Sequence, residues 1–156
     1  MADNRRPSII NPQRQADDRG TTPNLEQYVE TIAYLLTQDK VCTVSEIAEV
    51  ANVTRPAASR AVKELADKEL VSHRSYGYVD LTQEGEELAA QLSARHETLH
   101  HFLEKVLLFD SETADREACR LEHQVDNELA RRIQALTVLL EDETALLSRL
   151  RRRLGA

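Results

Sequence analysis

The stretch Thr43-Val44-Ser45-Glu46-Ile47-Ala48-Glu49-Val50-Ala51-Asn52-Val53-Thr54-Arg55-Pro56-Ala57-Ala58-Ser59-Arg60-Ala61-Val62-Lys63-Glu64-Leu65 decides the fold. Thr43 with Glu46 three residues on is a capping-box spacing, in which hydroxyl and carboxylate each accept from the other's backbone amide. Ile47, Ala48 and Ala51 form a short apolar stripe, and Asn52-Val53 reads as a turn. Thr54 is placed to cap the next helix, with Pro56 tolerated in its first turn. Ala58, Ala61, Val62 and Leu65 then face inward. Alanines at 48, 51, 58 and 61 let the two helices cross closely, which makes 43–66 a helix-turn-helix.

Upstream, Asn24 is an N-cap candidate with Gln27 at capping-box distance, and Leu25, Tyr28, Ile32, Leu35 and Leu36 keep a helical period until Gln38-Asp39-Lys40. Downstream, Leu70–Arg74 and Tyr78–Leu81 are β-prone runs flanking Ser75-Tyr76-Gly77, a hairpin. Helix, short helix, turn, helix, hairpin is the order of a winged helix-turn-helix. Its third helix exposes Arg55, Ser59 and Lys63, with Arg60 alongside. Short or rigid residues at its start (Thr54, Pro56, Ala57) let the backbone approach a major groove. Arg60 can pair bidentately with a guanine edge. The hairpin tip offers His73, Arg74, Ser75 and Tyr76 to phosphate or the minor groove.

Beyond the hairpin the pattern stays helical. Thr82 starts a long helix reaching about Val106, and Ser111 caps another with Ala114, Ala118, Leu121, Val125 and Leu129 on one face. Helical spacing returns after Glu141 through Leu146, Leu147, Leu150 and Leu154. The expectation is a mainly α chain: a flexible arm (1–22), a winged helix-turn-helix (23–84) and a helical metal-binding and dimerisation domain (85–156). The apolar stripes after residue 84 need a partner surface, which a second copy would supply.

Composition bounds the function. Among 156 residues 30% are charged and only 4% aromatic, as in a soluble helical protein. The net charge of −7 alone argues against nucleic acid, but the arginines cluster, at 5, 6, 14 and 19 in the arm and at 149, 151, 152 and 153 near the end. Cys42 and Cys119, far apart, are no disulfide framework. No apolar run approaches the ~20 residues of a membrane span, and no signal segment opens the chain. The cytoplasm is the expected compartment. No nucleophile–base pair or substrate loop points to an enzyme.

A second constellation follows the wing. His96 and His100 are i, i+4; Cys119, Glu122 and His123 are i, i+3, i+4. Imidazole, carboxylate and thiolate on one face are ligands for a divalent transition metal. The sulfur suits Fe(II), Co(II), Ni(II) or Zn(II) better than Mn(II). Each residue also has a plainer reading: a core histidine at 96, a small core thiol at 119, an ion-paired Glu122, a capping Gln27 and a solvated Glu30.

Taken together, the chain resembles the diphtheria-toxin-repressor family of metal-dependent regulators over about residues 21–154. The residues that carry the likeness are Thr22-Pro23-Asn24-Leu25-Glu26-Gln27-Tyr28-Val29-Glu30, the helix-turn-helix, Arg95-His96-Glu97 and Ala118-Cys119-Arg120-Leu121-Glu122-His123. The resemblance implies Cys119, Glu122 and His123 as ligands of a principal site and His96 as a shared ligand. Gln27 falls where iron sensors have Met and manganese sensors Asp, and Glu30 where manganese sensors use a carboxylate. His100 takes a position held by Glu in relatives, and Asp115 one held by His in iron sensors. Cys119 matches the iron-sensing pattern, so Fe(II) is favoured and Mn(II) next. Pro56 and Arg60 fall at base-contacting positions. The expected form is the short two-domain one, without the extra C-terminal domain of the larger iron regulators.

The resulting expectation is a homodimeric repressor, active with metal bound, on a palindromic operator in double-stranded DNA upstream of metal-uptake genes. Metal would join the first helix to the dimerisation helices and so set the spacing of the reading heads. The main competing reading keeps the winged helix but replaces metal with a small organic effector, as in multiple-antibiotic-resistance-type regulators, which share the Leu-Thr-x-x-Gly start seen at Leu81–Gly85. Two further readings are a metalloenzyme using the same cluster, against which stands the lack of a nucleophile–base pair or substrate loop, and a winged-helix module that binds protein instead of DNA.

Overall fold

The computed structural model describes residues 21–38, 42–74 and 77–155. Residues 1–20 of the expected arm, the helix end at Asp39-Lys40, and Ser75 and Tyr76 of the hairpin lie outside the described residues. The chain forms two compact units that divide within one helix, the first ending at Ala90 and the second beginning at Gln91.

The first unit runs α1 (Pro23–Thr37), α2 (Val44–Val50), α3 (Arg55–Asp67), β1 (Val71–Arg74), β2 (Tyr78–Leu81) and the start of α4 (Gln83–His101). Thr43 and Glu46 close a reciprocal capping box on α2. Thr54 accepts from Ala57 N to cap α3. The cap of α1 differs from the sequence reading. Thr22, not Asn24, accepts from Leu25 N, and Pro23 opens the helix. A proline at the first helical position needs no amide partner, so the cap belongs to the residue before it. Asn52 closes the α2–α3 turn at φ 54°.

The wing is a two-stranded antiparallel ribbon pairing Val71 with Leu81 and Arg74 with Tyr78. A further antiparallel bridge joins Thr43 to Tyr78, and Val79 N donates to Cys42 O at 2.8 Å, anchoring β2 to the two residues before α2. Ile32, Leu35, Ile47, Leu65, Val62 and Val79 are fully buried. Their burial fixes α3, so its polar side is presented outward.

Thr82 ties the wing to α4. Its hydroxyl donates to Glu69 O and accepts from Gly85 N, while its amide donates to Leu70 O. A Cβ on Gly85 would overlap the Leu70 carbonyl oxygen. The Leu81–Gly85 motif is therefore a packing requirement.

The second unit contains the rest of α4, a π-helical turn (Phe102–Val106), α5 (Ser111–Leu121), α6 (Asn127–Asp142) and α7 (Thr144–Leu154). Its core is Leu99, Leu103, Ala114, Ala118, Val125 and Ala130, with Leu107 and Ile133 packed against them. Two expectations change here. Asp110, not Ser111, caps α5 by accepting from Thr113 N. The single helix expected from Ser111 to beyond Leu129 is two, because Asp126 accepts from Leu129 N at 2.7 Å and starts α6 afresh. Leu129, Leu136, Leu139 and Leu146 remain exposed.

Candidate metal centre and nucleic-acid interface

The metal-site candidates of the second unit converge on His96. Asp115, Cys119 and Glu122 are i, i+4 and i+7, so α5 presents them on one face. Glu122 ends that helix in helical backbone geometry and keeps the alignment. His96, buried on α4, meets all three. Its Nδ1 lies 2.7 Å from Glu122 Oε2 and 3.6 Å from Cys119 Sγ, and its Nε2 lies 3.2 Å from Asp115 Oδ1. His123 has a fully buried side chain, with Nε2 3.5 Å from Glu122 Oε1. The His100 ring stacks on His96 at 6.2 Å between centroids, one turn along the helix.

The chemistry of this donor set is specific. One ligand atom each from His96, Cys119 and Glu122 lies within 4.8 Å of the others. Glu122 is 2% exposed, and a carboxylate is buried only with a cation or hydrogen-bond donors facing it. His96 Nδ1 faces it at 2.7 Å in the structure. A divalent cation in the same place would be held by nitrogen, sulfur and oxygen, the mixed set of an intermediate transition metal. The residues present fit such an ion.

The two candidates on α1 belong to the first unit. Gln27 is buried, and its side-chain Oε1 has no hydrogen-bond partner among the described residues. Glu30 is half-buried. An orphaned buried amide oxygen is costly and is a free ligand atom. With Thr22 as the cap, Gln27 is no capping-box residue, so that competing account of it falls away.

On the reading head, Thr54, Arg55, Pro56, Ser59, Arg60 and Lys63 are exposed and Ala57 is half-exposed, all on α3 or at its N-cap. Arg74 ends β1 beside the wing tip, and Tyr76 lies outside the described residues. The Tyr28 hydroxyl is raised above its ordinary range by burial, partly countered by the positive charge of Arg60.

Sequence reasoning missed Arg95. Its guanidinium Nη1 donates to Glu122 O at 3.2 Å and Val125 O at 2.9 Å. Only its place beside His96 hinted at a part in the site.

Residues 82–141 match the family model described as "Iron dependent repressor, metal binding and dimerisation domain", and residues 20–77 match that of the MarR family. The HTH-type transcriptional regulator MntR of Bacillus subtilis is 30% identical over 125 residues, covering 80% of this chain and 87% of that protein. The chain belongs to the diphtheria-toxin-repressor family of metal-dependent transcriptional regulators. MntR of Bacillus velezensis is 30% identical over 123 residues, 79% of this chain and 86% of that protein. Among solved structures, the manganese regulator SloR superposes with a TM-score of 0.64 at 32% identity over 74% of this chain, and ScaR with bound Zn2+ with 0.66 at 31% over 73%. This regulator spans about half of those two solved chains, 54% and 53%. The MarR match ends in the wing, and the metal-binding model takes over from Thr82. The relatives are DNA-binding regulators rather than enzymes. Among the described residues no helix is long and apolar enough to cross a membrane.

Proposed function

We propose that this regulator is a cytoplasmic, homodimeric repressor of metal-uptake genes that binds a palindromic operator when loaded with Fe(II), with Mn(II) as the second choice. The observation that carries the reading is the meeting of Cys119, Glu122 and Asp115 on His96. The thiol favours Fe(II) over an oxygen-preferring ion. His123 completes the principal ligands, and His100 and Asp115 extend the set. Gln27 and Glu30 on α1 are proposed as further ligands, on the resemblance and on the orphaned Gln27 oxygen.

The bound ion supplies positive charge that favours one arrangement of the chain over others. Moving a population from 1:99 to 99:1 takes about 5.5 kcal/mol of differential binding. An ion with such a preference would set which arrangement meets DNA. The exposed leucines of α6 and α7 are the proposed cover for a second copy. Two heads would then read half-sites about one helical turn apart. Arg55, Ser59, Arg60 and Lys63 read the major groove, Thr54, Pro56 and Ala57 let the backbone approach, and Arg74 and Tyr76 touch the backbone or minor groove.

The test is the double variant Glu122→Ala, His123→Ala in a salt-controlled gel shift. Loss of the metal response with weak, sequence-independent binding retained supports the reading. An operator affinity that still rises with Fe(II) or Mn(II) refutes it.

A further inference from the structure

Arg95 is not a ligand candidate, yet it holds the segment that carries two of them. Five residues, 122–126, lie between α5 and α6, and they include Glu122 and His123. The Arg95 guanidinium reaches the carbonyls of Glu122 and Val125 from α4, one near each end of this turn. The end of α5 exposes carbonyl oxygens with partial negative charge, and a cation is favourable there.

Among its contacts, Glu122 meets the His96 imidazole at its carboxylate and Arg95 at its carbonyl. These contacts differ in whether they use a ligand atom. Where His96 ligates an ion through Nδ1, its 2.7 Å contact with Glu122 Oε2 is given up. The carbonyl bonds of Arg95 use no ligand atom and persist. Arg95 and His96 are also consecutive on α4, so the same helical turn carries a ligand and the clamp on its partner.

We infer that Arg95 is a positioning residue that keeps the 122–126 turn, and with it Glu122 and His123, in register with His96 while the ligands exchange each other for a divalent cation. This rests on the metal-site reading above.

Two measurements on the full chain test it. Arg95→Met removes the donors at similar length; Arg95→Lys keeps the charge without the planar fork. Arg151→Met is the control, since it removes a similar guanidinium bond, to Lys105 O at 2.9 Å, away from the turn. In a Co(II) titration followed by visible absorption, Arg95→Met should bind about 10- to 100-fold more weakly, the usual effect of losing a residue that orients metal ligands. Arg95→Lys should fall between, and Arg151→Met should match the unaltered chain. In the metal-free protein, hydrogen exchange at the amides of 123–126 should quicken in Arg95→Met and not in Arg151→Met. Unchanged Co(II) affinity and unchanged exchange in Arg95→Met overturn the inference, as does an equal loss in Arg151→Met. If Arg95→Met does not fold, Arg95→Lys decides by the same two readouts. An unaltered chain that binds no Co(II) overturns the metal-site reading and this inference with it. Co(II) binding by the unaltered chain with no effect at Arg95 overturns the positioning role alone.

Discussion

Replacing Gly85 by alanine sets helix propensity against packing. Gly85 is the third residue of α4, and an ordinary helical Gly→Ala change gains about 1 kcal/mol. Here the new Cβ would overlap Leu70 O and come within 3.1 Å of both Leu70 C and Leu81 Cδ2. The Leu70 atoms are backbone and cannot rotate aside. Overpacking of this kind costs roughly 1–3 kcal/mol. Displacing Leu70 O also weakens its 3.1 Å bond from Thr82 N, worth about 1 kcal/mol. The balance is a loss of about 1–3 kcal/mol. At about 2–4 °C per kcal/mol for a chain of this size, Tm should fall by roughly 2–12 °C. Thermal unfolding followed by circular dichroism reads the shift. The wing begins at Val71, so operator affinity should weaken as well. A Tm at or above that of the unaltered chain would refute the reasoning and show that the wing root yields without cost.

Other expectations follow from exposure and charge. A thiol reagent at pH 8 should modify Cys119 in the native chain and spare Cys42, which is 2% exposed and whose pKa burial pushes up to about 12; equal rates would contradict this. The same group fixes a sign: the unfolded thiol titrates near 9, so stability should decline as pH rises from there toward 12, measurable by urea unfolding across that range. Arg60→Ala should relax base preference at one operator position by about 1–3 kcal/mol in a binding-site selection, and a uniform loss at every position would reassign Arg60 to phosphate.

The reading head was legible because its signals are local. Thr43 with Glu46 and Thr54 with Ala57 lie within one turn of each other, and the structure forms both contacts. The misplaced caps were also local, but each site offered two competent residues: Asn24 or Thr22, Ser111 or Asp110. Chain entry geometry, which composition does not display, chose between them. The missed break after Leu121 has another cause. Ala118, Leu121, Val125 and Leu129 hold a helical period across it, so periodicity had no reason to stop. Asp126 is the cap that interrupts it. Helical spacing within α5 did carry Cys119 and Glu122 to one face, but the approach of His96 is tertiary, 19 residues from Asp115 and 26 from Glu122 in sequence. Arg95 binds carbonyls, and a carbonyl has no side-chain signature to read.

The central claim is that a divalent metal at His96, Cys119 and Glu122 controls DNA binding, and operator affinity measured anaerobically at one salt concentration tests it most directly. Fe(II), Mn(II) and chelator form the three arms, because salt alone shifts such affinities steeply. The account predicts tighter binding with Fe(II) than with Mn(II) and a loss of at least about tenfold under chelator, a difference of about 1.4 kcal/mol. Equal affinity in all three arms would contradict it.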